Sequence, residues 1–103
     1  MLNQIVLVGR LVEEPIVEEN ESGRNVTCIK LAIPRSFKNS EGVYDTDFVP
    51  CILWDGVAKS TTEYCKKGDL IGIKGRVQCL EDTLSIVAEK VTFLSSSQKE
   101  KAE

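Results

Sequence analysis

Rings and cations are the residues of this chain best suited to a chemical task. Residues 44–54, YDTDFVPCILW, carry three of its six aromatics. β-Branched and aromatic residues dominate the stretch and glycine-containing turns flank it, so it reads as a strand. Side chains alternate between the two faces of a strand. Val49, Cys51 and Leu53 share one parity and suit a core, while Tyr44, Phe48, Ile52 and Trp54 share the other. A strand apolar on both sides is either buried on both or offers one to a partner. Candidate cations flank it in sequence: Lys30, Arg35 and Lys38 before, Lys74 and Arg76 after.

Other chemistries find little support. The chain has no histidine, which removes His-based triads, His-ligated zinc and the usual general base. It shows no glycine-rich phosphate loop and no G-x-S-x-G elbow, so nothing proposes an enzyme. Cys28, Cys51, Cys65 and Cys79 form no C-x-x-C pair. They read as buried small hydrophobes in a reducing compartment, not as a metal clip or disulfide frame. Asp45 and Asp47 have the parity opposite Phe48 and no third ligand nearby, so they read as solvent-facing strand residues. No metal and no cofactor is expected.

A chain of 103 residues is one domain with one core. It has no run long enough to span a membrane and no signal peptide, which points to a cytoplasmic protein. Net charge is −3, but residues 13–21, EEPIVEENE, hold five acids and no base. The remainder carries 13 bases against 11 acids, so a local basic face is compatible with the acidic total.

The elements that must position these residues follow in order. Residues 3–12 read as a strand buried on both faces apart from Arg10, with Gly9 marking a bulge or bend as at a barrel corner. Residues 13–24 are an acidic connection that allows a small hairpin. Residues 25–34 alternate as a second strand, and 35–43 form a loop carrying Arg35, Phe37 and Lys38. The third strand is 44–54, where Pro50 signals a sheet edge or a bulge. Residues 55–67 are the only helix, with Asp55 as N-cap, Gly68 as left-handed C-terminal residue, and Val57, Thr61, Tyr64 and Cys65 on its packing face. Strands 69–79 and 83–94 meet at a short turn at Glu81-Asp82. Ile71, Ile73 and Val77 face the core there, and Lys74 and Arg76 face out. Residues 95–103 are too polar to order and read as a tail after a domain at 1–94. There is no internal repeat.

Three strands, one helix and two strands, with a glycine-bent first strand, is the order of the all-β, five-stranded Greek-key OB-fold barrel with one helix between strands three and four. Its ligand face is built around strands two and three, which brings the Tyr44–Trp54 face, Lys30 and the 35–43 loop together. Aromatics interleaved with cations suit single-stranded nucleic acid: rings stack on bases of any sequence and cations follow phosphates.

Five stretches in this order resemble the bacterial-type single-stranded DNA-binding protein family: NQIVLVGRL at 3–11, DFVPCILW at 47–54, EYCKKGDL at 63–70, GRV at 75–77 and VAEKVTFL at 87–94. The resemblance implies a homotetramer that wraps single-stranded DNA in replication, recombination and repair, in a cytoplasmic, nucleoid-associated setting. It places Phe37, Phe48 and Trp54 where the family has base-stacking aromatics. Three departures stand out. The connection between the last two strands is short, the sequence ends at Glu103 without the acidic-hydrophobic C-terminal tip that recruits enzymes, either by nature or by truncation, and Pro50 replaces a strand donor. Recruitment of enzymes through a tail is therefore not expected. Two alternatives stay open: a dimeric relative of primosomal replication protein N, and a protein-interaction barrel using its aromatic face as an oligomer contact.

The candidate DNA-binding residues are Phe48, Trp54, Phe37 and Tyr44 with the cations Arg35, Lys38, Lys30, Lys74, Arg76 and Arg10. Three open points attach to them. Phe37 is either a loop ring offered to DNA or one tucked onto the core. Lys74 and Arg76 are either phosphate contacts or an ordinary solvated face. A bulge at Pro50 would turn Trp54 to the face opposite Phe48.

Overall fold

Ile29, Leu31, Cys51, Leu53, Ile71 and Ile73 are all buried, and each stands two residues from another on its own strand. That period of two folds the inner faces of the strands onto one core, joined by Leu11, Ala58, Cys65 and Ala88. The computed structural model describes residues 1–96. In it the strands are β1 (Ile5–Leu11), β2 (Glu18–Glu19), β3 (Asn25–Lys38), β4 (Tyr44–Trp54), β5 (Leu70–Leu80) and β6 (Thr83–Ser95), and the helix α1 is Asp55–Tyr64.

The strands lie in the order β1-β5-β6-β4-β3, and β1 pairs with β3 as well, so the sheet closes. β4 and β6 run parallel at Ile52 and Val87, and the other pairings are antiparallel. This is the five-stranded barrel of the OB-fold, with one helix between β4 and β5. The closure depends on Gly9. β1 pairs with β5 from Ile5 to Arg10, then passes to β3 at Arg10 and Leu11. A Cβ on Gly9 would stand 2.8 Å from both the Ala32 carbonyl oxygen and Ile33 Cγ1. Only a residue without a side chain lets the strands cross so closely.

Helix α1 closes one end of the barrel, packing on β3 and β6. Its buried residues are Ala58 and Thr61, and Cys65 just beyond its end is buried too. That spacing marks one helical face. The Thr62 hydroxyl donates to the Ala58 carbonyl at 2.9 Å. Buried Asp69 shapes the exit, where its Oδ2 accepts the Lys66 N–H at 2.8 Å. The Gly68 N–H donates to the Leu11 carbonyl at 2.8 Å and ties this turn to the end of β1.

Several expectations change. β3 runs on to Lys38 instead of ending at 34, because the chain re-registers against β4 between Pro34 and Lys38 and keeps pairing. The loop shrinks to a turn organised by Asn39, whose Oδ1 accepts the N–H groups of Glu41 and Val43 at 2.8 and 3.0 Å. β1 is buried on one face only: Val6 and Val8 are exposed. The helix stops at Tyr64, and Asp55 does not cap it, since Trp54 holds the N-cap position without a side-chain bond. Gly68 does adopt a positive φ of 90°, but in the turn after the helix. Tyr64 is exposed and leaves the packing face. Cys51 and Cys65 are buried as expected, whereas Cys28 is exposed because its parity on β3 points outward, and Cys79 because it lies near the end of β5, where residues of both parities are exposed. The acidic connection does form a small hairpin, with Glu18 and Glu19 paired to Val26 and Asn25. Ser95 ends β6, and the rest of the expected tail at 97–103 lies outside the described residues.

Candidate nucleic-acid interface

The β3–β4 register decides which side chains share the outer face. Val26 stands opposite Trp54, Cys28 opposite Ile52, Lys30 opposite Pro50 and Ala32 opposite Phe48, with no shift along this run. Directly opposed residues project from the same side of a sheet. Their odd-numbered neighbours Ile29, Leu31, Cys51 and Leu53 are buried, so the even-numbered set faces out. Phe48 and Trp54 therefore share one face, and Pro50 makes no bulge.

Neighbouring strands extend these rows. Arg10 of β1 pairs with Ala32, so Arg10, Ala32 and Phe48 form a row over three strands. Val87 of β6 pairs with Ile52 and with Arg76, so Cys28, Ile52, Val87 and Arg76 form a row over four. Lys30 lies between the two rows. Phe48 and Trp54 mark the ends of a track about 20 Å long, at the usual rise of a strand.

Phe48 is 59% exposed, with Tyr44 at 55% and Phe37 at 62% on the ribbon that β3 and β4 extend past the barrel. The Lys38 ammonium sits 5.7 Å from the centre of the Tyr44 ring. At that exposure Phe37 is not tucked onto the core. Rings more than half exposed leave unrealised part of the ~1.5–3 kcal/mol that full burial of a large apolar side chain contributes.

The candidate arginines Arg35 and Arg76 come with acids. Arg35 donates Nε and Nη2 to Asp47 at 3.1 and 2.9 Å, with Asp45 at 3.8 Å. This fork raises the Arg35 pKa and holds the Asp47 carboxyl below the usual carboxylate range. Asp47 stands opposite Ile33, on the side of the ribbon away from Phe48. Arg76 donates to Glu89 at 3.1 Å and to Gln78 at 3.0 Å. Arg10 donates to the Gly68 carbonyl at 3.1 Å. Lys74 lies in a different row, between Val6 of β1 and Lys90 of β6, and is not brought beside the rings.

Arg24 was not singled out by the sequence. Its guanidinium lies 4.4 Å from the centre of the Trp54 ring. Nε and Nη2 donate to Asp55 Oδ2 at 3.2 and 2.8 Å. That bond lowers the Asp55 pKa, with a smaller contribution from a backbone hydrogen bond with Asn25. No local period links Arg24 to Trp54, and only the folded register brings them together.

Among the described residues no group of acids and cysteines is placed to hold a metal ion, and no helix is long and apolar enough to cross a membrane. At the tip of β5–β6, Glu81 and Asp82 have φ of 50° and 64°, the two-residue turn that the short connection requires.

The sequence profile of the single-strand binding protein family matches residues 2–94. The chain is 38% identical to the protein named single-stranded DNA-binding protein B of Bacillus subtilis, over 99% of this chain and 98% of that one. It is 38% identical to single-stranded DNA-binding protein 3 of Listeria innocua, over 95% of this chain and 67% of the other. It is 41% identical to single-stranded DNA-binding protein 1 of Lactococcus lactis, over 76% of this chain and 52% of that one. A match across nearly the whole barrel, on a fold that displays aromatics and cations on its β3–β4 face, assigns the chain to the single-strand binding protein family.

Proposed function

We propose that this protein binds single-stranded DNA without sequence preference and serves replication, recombination and repair as a non-enzymatic binding protein. The observation that carries this reading is Phe48. It is an exposed ring on the outer sheet face, in one row with Arg10 and next to the row of Lys30. A ring stacks on any base, and adjacent cations neutralise phosphates. Trp54 and Ile52 continue the track, Tyr44 and Lys38 extend it along the ribbon, Phe37 adds an exposed ring beside Lys38, and Arg76 flanks the track. Arg35 joins only by leaving Asp47, and Lys74 stands outside the track. The relatives named as single-stranded DNA-binding proteins support the same ligand.

A homotetramer fits the exposed Val6 and Val8, which leave the outer face of β1 apolar for another copy to cover. The deciding experiment is titration with oligo-dT of several lengths while following Trp54, the chain's single tryptophan. Saturable quenching by oligo-dT and none by duplex DNA is the expected result. No quenching by either would end this reading.

A further inference from the structure

Arg24 covers the ring that the stacking reading needs open. Its guanidinium stands over Trp54 at 4.4 Å, where a base would lie, and it is held there by a two-donor fork on Asp55 Oδ2. We infer that Arg24 is a lid on Trp54 that single-stranded DNA opens, the guanidinium leaving the Asp55 carboxylate for a backbone phosphate as a base takes its place on the indole. This rests on the binding proposed above and adds a residue and a gating step to it.

Four features support the exchange. First, Arg24 Nε and Nη2 converge on the single oxygen Asp55 Oδ2, and a phosphate oxygen can accept the same two donors. Second, the Arg24 and Asp55 side chains are 52% and 55% exposed, so the pair opens directly into solvent. Third, the Arg24 backbone is fixed while its side chain spans the gap. Its N–H donates to Asn20 Oδ1 at 2.9 Å, and its carbonyl accepts the Asn20 N–H at 2.9 Å. Fourth, Asp55 sits at a φ of 50°, in the left-handed region that side-chain-bearing residues seldom adopt. Asp55 follows Trp54 directly, so the ring and the anion that restrains its lid are adjacent in the chain.

The test is a double-mutant cycle on the full chain, with Asp55→Asn, Arg24→Ala and the two combined, each titrated with oligo-dT across a salt series. Asp55→Asn should tighten binding by up to about five-fold, the worth of an exposed ion pair. Arg24→Ala should make the log–log salt slope shallower by about 0.7, one phosphate contact on a single strand. In the Arg24→Ala background Asp55→Asn should no longer tighten binding. Iodide quenching of Trp54 in the free protein should rise in both single variants, and this measurement stands apart from DNA affinity. Equal tightening by Asp55→Asn in both backgrounds would reduce Asp55 to a general charge effect and overturn the lid. So would an unchanged slope in Arg24→Ala. If wild-type protein binds oligo-dT but the cycle shows no coupling, the lid alone falls. If wild-type protein does not bind, the binding reading falls and takes the lid with it.

Discussion

Pro50 stands directly opposite Lys30, and the β3–β4 ladder runs through that pair without a shift. A bulge there would have sent Trp54 to the other face. Instead the alternation that starts at Phe48 persists to the end of β4, and both rings belong to one surface.

Phe48→Ala should therefore weaken oligo-dT binding about 5- to 150-fold, the range implied by ~1–3 kcal/mol of stacking per base. Its melting temperature should stay close to wild type, because the ring is not in the core. A buried phenylalanine would instead cost ~3–5 kcal/mol of stability on truncation. An early-melting variant with affinity intact would overturn the face assignment for all of β4.

Salt should weaken binding steeply, with a log–log slope of roughly −0.7 per phosphate neutralised. Arg76→Ala should make that slope shallower, since Arg76 shares a row with Ile52. Lys74→Ala should leave it unchanged within error, because Lys74 stands between Val6 and Lys90. Affinity that does not move between low and high salt would refute the phosphate contacts altogether.

The cysteines should divide into two classes toward a thiol reagent. Cys28 and Cys79 are exposed and should react at once, while Cys51 and Cys65 should wait for unfolding. Bound oligo-dT should protect Cys28, which sits opposite Ile52 on the proposed binding face, and leave Cys79 reactive. Equal protection of both thiols would contradict the proposed track.

Burial pushes the Cys51 thiol from 9.0 to about 11. Between those values the unfolded chain has lost this proton and the folded protein keeps it, so stability falls as pH rises. The contribution is whole below pH 9 and is lost by about pH 11, a change of about 2–3 kcal/mol. Cys51→Ala should remove this alkaline component from denaturant midpoints measured across that range. At the acid end the sign reverses: Asp47 and Asp55 are lowered by their arginines, so their contribution is present above the ordinary carboxylate range and is lost as pH falls through it.

Gly75→Ala should cost much of the stability of the fold. A Cβ there would stand 2.0 Å from the Val87 carbonyl oxygen, at the register shift between β5 and β6. Backbone cannot yield as a flexible side chain does, so the loss should exceed the ~1–3 kcal/mol typical of overpacking. A variant melting within a few degrees of wild type would show that the strands can separate locally.

What the sequence made legible follows from period. The alternation of Val49, Cys51 and Leu53 against Phe48, Ile52 and Trp54 survives folding because a strand holds its parity. Gly9 was legible as a corner because a strand interior seldom carries a glycine without reason. Errors arose where burial depends on neighbours. Val6 and Val8 look like core residues in an apolar run, and nothing within β1 says that one face stays uncovered. Tyr64 lies close enough to the packing face to pass for a member, but the helix ends under it. Arg24, Asp55 and Trp54 meet through a turn and a register, so no window of sequence contains the arrangement. The same holds for the fork between Arg35 and Asp47.

Asn3 closes the far side of β1, its side chain exchanging two hydrogen bonds with the backbone of Val77 at 2.8 and 2.9 Å across 74 residues of sequence. β1 therefore completes its pairing only when β5, far along the chain, is in place. Contacts this distant along the chain slow folding, because the loop must close before they contribute. Until β5 is in place, Leu7 and Leu11 have no closed barrel to enter, so the burial of β1 waits on a strand some sixty residues away.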